Sequence, residues 1–564
     1  MKNWRISFIL SILFLLAAAL MGRLVFLQII KGDYYKALAI GQQNISTEII
    51  QERGKILFSD GETKLATNHF LSVLYIDSNK IKEKEKISGL LTEIINLKKE
   101  FILEKLNKNS GNEILKKELT PEEIKEVKKL NIDGISIKTE TNRDYPQEDL
   151  ASQVSGYVGW DGKGQYGLEE YYEKDLKGQS GFFEGEKDLA GRLLFFGLDK
   201  YLEPQNGIDL TLTIDYNIQF FAEKLLKQAK ENLNMEQGTI IVLEPNTGKI
   251  FALANYPGFD PNNYSSYKDF SIFQNSAIQE LYEPGSILKP ITMASAINDG
   301  KITPDTTYKD EGFVKIGNYT ISNFANKIYG EKTMTQVLEN SINTGAVFAE
   351  EQLGDEPFLK YLKDFGLFEK TKIDLAGEVY YDNENLKEGK KINFATASFG
   401  QGITTTPMQI VRAFSVIANG GKIISPYIVD KKNKGGNVFL NQNAQIQGKQ
   451  VISPSTSSSV TAMMVSVLEN GYSKKARIPG YYIAGKTGTA QVPWTSLGIN
   501  KAGYSDKTIQ SFIGFAPAFS PRFLILVKLN NPEANTAEYS AMPIFRELAK
   551  YVLDYLQIPP DYQK

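Results

Sequence analysis

The sequence predicts an α+β protein in three parts. A membrane helix comes first, then a charge-rich mixed α/β segment, then a large region of strands, Gly-rich turns and helices. Three observations carry this. ISFILSILFLLAAALMG, residues 6–22, is uncharged and continues into RLVFLQII, close to the ~20 apolar residues that a spanning helix needs. Residues 80–130 place apolar side chains at helical spacing among Lys and Glu. From residue 207 onward, strand-like alternation and turn signals set in.

Taken in order, Lys2 and Arg5 precede the apolar run and predict a short cytoplasmic tail, residues 1–5, with the rest of the chain outside. A cleaved signal peptide is the rival reading, with Ala17–Ala19 as its small residues. The apolar pattern, however, runs on to Ile30, past the roughly 7–15-residue core of such a peptide, which favours an uncleaved anchor over residues 6–30. Arg23 can snorkel to the outer headgroups. KIKEKEKISGLLTEIINLKKEFILEKLNKN predicts an amphipathic helical stretch. LTPEEIKEVKKL predicts a capped helix, with Thr120 as N-cap, Pro121 at the first position and Glu123 closing a capping box. Their charges read as solvated helix faces. Asp209–Ile214 alternates as a strand before a helix, and GTIIVLEPNTGKIFALANYP reads as two strands joined at Asn246-Thr247-Gly248. Late strands in FIGFAPAF and RFLILVKL precede a final amphipathic helix, AMPIFRELAKYVLDYL.

Composition narrows the chemistry. The 564 residues suffice for two or three domains, with 42% apolar and 23% charged residues. A net charge of −2 offers no electrostatic case for nucleic acid, and no GxxxxGK[ST] loop is present. There is no cysteine, hence no thiol nucleophile, disulfide or thiolate metal site. The one histidine is His69, so neither a multi-histidine metal site nor a choice of Ser-His-Asp triads is open. An enzyme made from this chain takes its base from Lys, Asp, Glu or Tyr.

YEPGSILKPIT places Ser286 at a helix start after Pro284-Gly285, with Lys289 one turn on. Free N–H groups and the positive dipole end there can stabilise an oxyanion. Pro290 is tolerated in the first turn. Ser265–Lys268 has the same spacing without that framework. Lysine is a poor base at its ordinary pKa of ~10.4, and burial or a second cation lowers it. Lys486-Thr487-Gly488-Thr489, on a predicted strand, offers that cation, and Gly488 would admit a ligand close to the backbone. A peptide could align beside this strand. Ser341-Ile342-Asn343 offers a hydroxyl for proton relay and an amide for a substrate carbonyl. Each triplet alone is weak, and Ser110-Gly111-Asn112 matches the last one too. The ordered set is the serine–lysine constellation of β-lactamases and penicillin-binding proteins.

The chain resembles a class B penicillin-binding protein, a monofunctional, membrane-anchored peptidoglycan D,D-transpeptidase. RLVFLQIIKGDYYKALA and RGKILFSDGETKLATN look like that family's N-terminal signature. RDYPQEDLASQVSGYVG and GQYGLEEYYEKDLKGQSG look like its pedestal motifs, and EPGSILKPIT, NSINTG, ASFGQGITTTPMQI and GKTGTAQ follow in the family's order. One departure is RGKILFSDG, where the family commonly has an Asp-Arg pair. The resemblance implies an elongated mixed α/β pedestal over residues 40–203. It also implies a transpeptidase domain over residues 207–558, with an antiparallel sheet flanked by helices.

In chemical terms it implies that Ser286 attacks the penultimate D-Ala carbonyl with Lys289 as base, and that Ser341 and Asn343 relay protons and hold substrate. Lys486 and Thr487 bind the terminal carboxylate and tune Lys289, while the backbone N–H groups of Ser286 and Thr489 form the oxyanion hole. No metal or organic cofactor is expected. Implied partners are peptidoglycan stem peptides ending in D-Ala-D-Ala, β-lactams, and a SEDS-family glycosyltransferase within a wall-synthesis complex. The implied location is the bacterial inner membrane, with the catalytic domain outside, and septal division is favoured over side-wall elongation. A β-lactamase or β-lactam sensor, and a non-catalytic divisome scaffold, are the competing readings.

Overall fold

The computed structural model describes residues 3–36, 44–108, 111–187, 193–194, 200–441 and 448–563. Met1 and Lys2 of the expected tail, Ser110, and short stretches of the expected pedestal lie outside the described residues. The chain divides into two compact units, Met1–Arg53 with Lys177–Gly207, and Gly54–Leu176 with Ile208–Lys564.

In the first unit, helix α1 (Asn3–Val25) continues into a wider turn at Phe26–Ile30. Across its 28 residues none is buried, and its most apolar 18-residue window reaches a mean hydropathy of 2.4, long and apolar enough to cross a membrane. The Arg23 guanidinium lies 5.5 Å from the centre of the Phe26 ring. The strand Asn44–Ile49 pairs antiparallel with Gly181–Lys187, which also pairs with Lys200–Leu202.

The second unit begins with a long antiparallel ribbon, Lys64–Ile76 against Ile135–Asp144. His69 sits exposed on it, opposite Asn142. The single helical stretch expected at residues 80–109 is broken into Lys84–Ile95 and Lys99–Asn107. Asn96 turns left-handed at φ 51° and donates its N–H to Thr92 O, an Asn-tipped helix end. The capping box holds: Thr120 accepts from the Glu123 N–H at 3.2 Å, and Glu123 accepts from the Thr120 N–H at 3.0 Å. The apolar faces of these helices close a small core around Leu74, Leu91 and Ile102.

Nearby, Arg143 Nε donates to Glu169 Oε1 at 2.7 Å, with the side chains only 4% and 0% exposed. Removing one partner strands a buried charge. Glu169→Ala is therefore expected to cost about 3–5 kcal/mol, read as a lower midpoint of urea unfolding followed by tryptophan fluorescence.

Asp215 caps helix α2 (Tyr216–Leu233) by accepting from the N–H groups of Asn217 and Ile218. Strands β1 (Gln237–Leu243) and β2 (Ile250–Tyr256) form the expected hairpin. Helix α3 (Lys289–Asn298), a second hairpin of β3 (Phe313–Ile316) and β4 (Tyr319–Ser322), and helices α4 (Asn343–Leu353), α5 (Lys391–Ala397) and α6 (Pro454–Glu469) follow. The chain then returns through β5 (Ala484–Pro493), β6 (Tyr504–Ala516) and β7 (Phe523–Asn530) to helix α7 (Ala541–Tyr555). The sheet runs β2-β1-β7-β6-β5 and is antiparallel throughout, leaving β5 at an edge.

Every residue of β7 from Phe523 to Leu529 is buried, so both faces of the sheet are covered. Helices α2 and α7 pack on it and on each other, with Phe221 stacked on Tyr551 at 4.2 Å. Helices α3 and α6 pack together, and α6 lies against β5. One continuous apolar core runs from Ile56 and Leu168 to Phe512 and Leu548.

Candidate active site

Ser286 lies in a single 3₁₀ turn, Gly285–Leu288, that leads into α3. The sequence predicts an ordinary helix start here. The tighter winding has a consequence, because residues three apart eclipse each other on a 3₁₀ turn, which sets Ser286 and Lys289 on one line. Gly285, Ile287 and Leu288 are buried while Ser286 is half-buried, so the turn presents this hydroxyl and little else. Pro290 falls within the first turn of α3, as its missing N–H requires.

Lys289 is fully buried, and its Nζ lies 2.6 Å from Ser341 O, 2.8 Å from Asn343 Oδ1 and 3.3 Å from Ser341 Oγ. Lys486, 1% exposed, reaches the same hydroxyl from the sheet: its Nζ is 2.9 Å from Ser341 Oγ and 3.0 Å from Thr487 O. Burial pushes the Lys289 amine well below its ordinary 10.5, and the Lys486 charge pushes it further. Burial brings Lys486 down to about 8, with Glu538 opposing. A neutral Lys289 has two N–H groups and one lone pair. Ser341 O and Asn343 Oδ1 can take both N–H groups, which leaves the lone pair for a hydroxyl. Among the described residues, Ser286 Oγ makes no hydrogen bond.

Three of the sequence-derived motifs therefore converge. Ser286, Lys289, Ser341, Asn343 and Lys486 come together, with Thr487 and Thr489 on the same edge strand. Ser265 and Lys268 stay apart from them, with Ser265 in a separate 3₁₀ turn at Pro261–Ser266. Gly488 also serves packing. A Cβ there would lie 2.7 Å from Ser511 Oγ, 2.9 Å from Ile287 Cγ2 and 3.2 Å from Pro284 O, so the bare backbone lets β5 press against the Ser286 turn.

Several supporting features carry no local sequence signal, among them the backbone of Ser341 and the burial of Asp310. Ser341 adopts φ 54°, a left-handed conformation that costs a side-chain-bearing residue about 1–2 kcal/mol. Asp310, 2% exposed, accepts from Thr344 Oγ1 at 2.6 Å, from Asn323 Nδ2 at 3.0 Å and from the N–H groups of Tyr329 and Gly312. Burial opposes its charge, but these bonds hold the carboxyl below its ordinary value. Thr344 follows Asn343 directly, so Asp310 anchors the start of α4. Gly400 O accepts from the Gly285 N–H at 2.9 Å, tying a distant loop to the serine turn. Among the described residues, no three His, Cys, Asp or Glu side chains are grouped to hold a metal ion.

A half-buried serine and two buried lysines, set beside the edge of an antiparallel sheet with helices on both faces, define a serine–lysine acyltransferase fold. Residues 238–550 match the penicillin binding protein transpeptidase domain and residues 48–212 the penicillin-binding protein dimerisation domain. The chain belongs to the penicillin-binding proteins, in their class B form.

It is 32% identical to stage V sporulation protein D of Bacillus subtilis, over 95% of this chain and 83% of that protein. It is 28% identical to the peptidoglycan D,D-transpeptidase FtsI of Escherichia coli, over 99% and 93%. Penicillin binding protein 3 of Mycobacterium tuberculosis, solved with aztreonam, superposes with a TM-score of 0.70 at 24% identity, covering 92% of this chain and 98% of that one. At that identity the superposition speaks for the fold.

Proposed function

We propose that this protein is a monofunctional peptidoglycan D,D-transpeptidase that cross-links stem peptides through an acyl-enzyme on Ser286. The observation that carries the reading is the convergence of two buried amines on Ser341 Oγ, one of them a single 3₁₀ turn from a half-buried serine.

Ser286 Oγ attacks the penultimate D-Ala carbonyl and its proton passes to neutral Lys289. The oxyanion rests on the N–H groups of Ser286 and Thr489. The C–N bond then breaks, terminal D-Ala leaves with a proton returned through Lys289 and Ser341, and Ser286 holds an ester. The amine of a second stem attacks that ester, forms the cross-linking amide and restores the Ser286 hydroxyl. Lys486 and Thr487 bind the terminal carboxylate of the donor, and Asn343 holds its amide. β-Lactams acylate the same serine. Aztreonam in the Mycobacterium tuberculosis relative is consistent with that.

Residues 1–5 form a cytoplasmic tail and residues 6–30 a single-pass inner-membrane anchor, with Arg5 on the cytoplasmic side in keeping with the positive-inside rule. Residues 40–203 form the pedestal and residues 207–558 the extracytoplasmic transpeptidase domain. The reading of a pedestal followed by a transpeptidase domain is supported by the family matches over residues 48–212 and 238–550. The anchor and pedestal engage a SEDS-family glycosyltransferase, and the complex serves septal division.

The test gives the full chain a synthetic stem pentapeptide and an amine acceptor, followed by mass spectrometry. Release of D-Ala with formation of the cross-linked amide is expected, as is a long-lived penicilloyl adduct. Penicillin turned over within seconds would point to a β-lactamase, and no acylation at all to a scaffold.

A further inference from the structure

A groove of about 430 Å³ opens on the side of Asn343 away from Lys289. Its walls come from the β3–β4 hairpin, through Tyr319 and Ser322, and from α5 and the loop after it, through Asn393, Thr396 and Gln401. Ile321 and Phe399 supply apolar surface. Asn343 belongs to both places: Oδ1 accepts from Lys289 at 2.8 Å and Nδ2 donates to Ser322 O at 3.1 Å. Every lining residue is uncharged. Lys391, next to Ile392 of this groove, instead lines a separate cavity with Glu350 and Glu351. The side chains of Gln401 and Ser322 make no hydrogen bond to another described residue, so both are free to serve a ligand.

The two ends of the site thus differ in charge. Lys486 offers a buried cation at one end. Beyond Asn343 the wall offers amides, hydroxyls and apolar surface only. Lys390, within electrostatic reach of Tyr319, is already paired with Glu388 at 2.7 Å. A carboxylate or ammonium pressed against that wall would therefore lose water without gaining a free counter-charge, whereas a neutral amide would find donors and acceptors.

We propose that this groove takes the part of the acyl-donor peptide just before D-Ala-D-Ala and selects donors whose side chain there is uncharged, amidated or acylated rather than a free acid or amine. The proposal rests on the transpeptidase reading, since that reading sets the peptide's carboxylate at Lys486.

The test uses the full chain with Ser286→Ala, so that binding is measured without turnover. Isothermal titration calorimetry is run with four peptides ending in D-Ala-D-Ala, preceded by Gln, Glu, N-acetyl-lysine or Lys. The Gln and acetyl-lysine peptides are expected to bind about tenfold more tightly or better than their charged counterparts. Adding Gln401→Lys is expected to move the Glu peptide ahead of the Gln peptide. Asn393→Lys serves the same end, and an unchanged melting temperature of either variant checks that it folds. Binding of all four peptides within twofold, no binding of any, or no reordering in both lysine variants overturns the proposal. Failure of the transpeptidase reading shows separately, as wild-type protein that releases D-Ala from none of the four.

Discussion

Ser286→Ala is expected to lose covalent labelling by a fluorescent penicillin completely, and Lys289→Met to slow it by about 10²–10⁴-fold, the usual range for loss of a positioned proton acceptor. The two variants probe different terms. Ser286→Ala removes the atom that forms the bond. Lys289→Met leaves it but removes the lone pair that takes its proton, and strands Ser341 O and Asn343 Oδ1 without their N–H partner. Residual labelling in Ser286→Ala would mean that another group is the nucleophile.

The pH profile separates the lysines. Lys289 works as a base only when neutral, so the acylation rate falls as pH drops below its depressed pKa. Lys486 holds a carboxylate only when protonated, so peptide affinity falls as pH rises past about 8. Donor peptide should therefore give a bell-shaped kcat/KM profile with its alkaline limb near that value. Lys486→Gln should weaken the alkaline limb while raising KM.

Much of this was legible from local sequence because the determinants are local. A capping box, a proline at a helix start and a hairpin turn each need only a few adjacent residues, and Thr120, Pro290 and Asn246–Gly248 obey them. The serine–lysine set was legible for a different reason: no cysteine and a single histidine leave few other groups to do the chemistry. The hidden parts depend on contacts across long stretches of chain. Asp310 in TYKDEGF looks like one more surface charge, yet it is buried because Thr344 and Asn323 fold over it. The left-handed Ser341 has no residue-type signature, since serine rarely adopts that conformation. The break at Asn96 is hidden in the sequence because apolar spacing persists on both sides of it.

Gly400→Ala is the sharpest case of such a long-range dependence, and it should cripple acylation without touching any catalytic atom. Gly400 sits at φ 83°, and a Cβ built there would lie 2.1 Å from Gly285 O and 2.6 Å from Gly285 N. The obstructing atoms are backbone, so no side chain can swing aside. The loop and the Ser286 turn must separate, and the hydrogen bond from Gly285 N–H to Gly400 O is lost with them. Gly285 has little freedom to absorb the shift, because its own Cβ position already meets Ala490 Cβ of β5 at 3.1 Å.

Misplacing a reacting group by about 1 Å can cost some 10²-fold in rate, and a loss of that order is expected in penicillin acylation. Gly402→Ala is the control two residues away. Its φ of 66° also disfavours alanine, but the added methyl would meet Thr396 Oγ1 at 3.1 Å, the far end of a side chain, with its other neighbours at 3.9 Å or beyond. That variant should lose stability with a much smaller fall in rate, whereas Gly400→Ala should lose rate out of proportion to its melting temperature. Equal rate losses in the two would mean that backbone strain in the loop, rather than displacement of the serine turn, governs the effect.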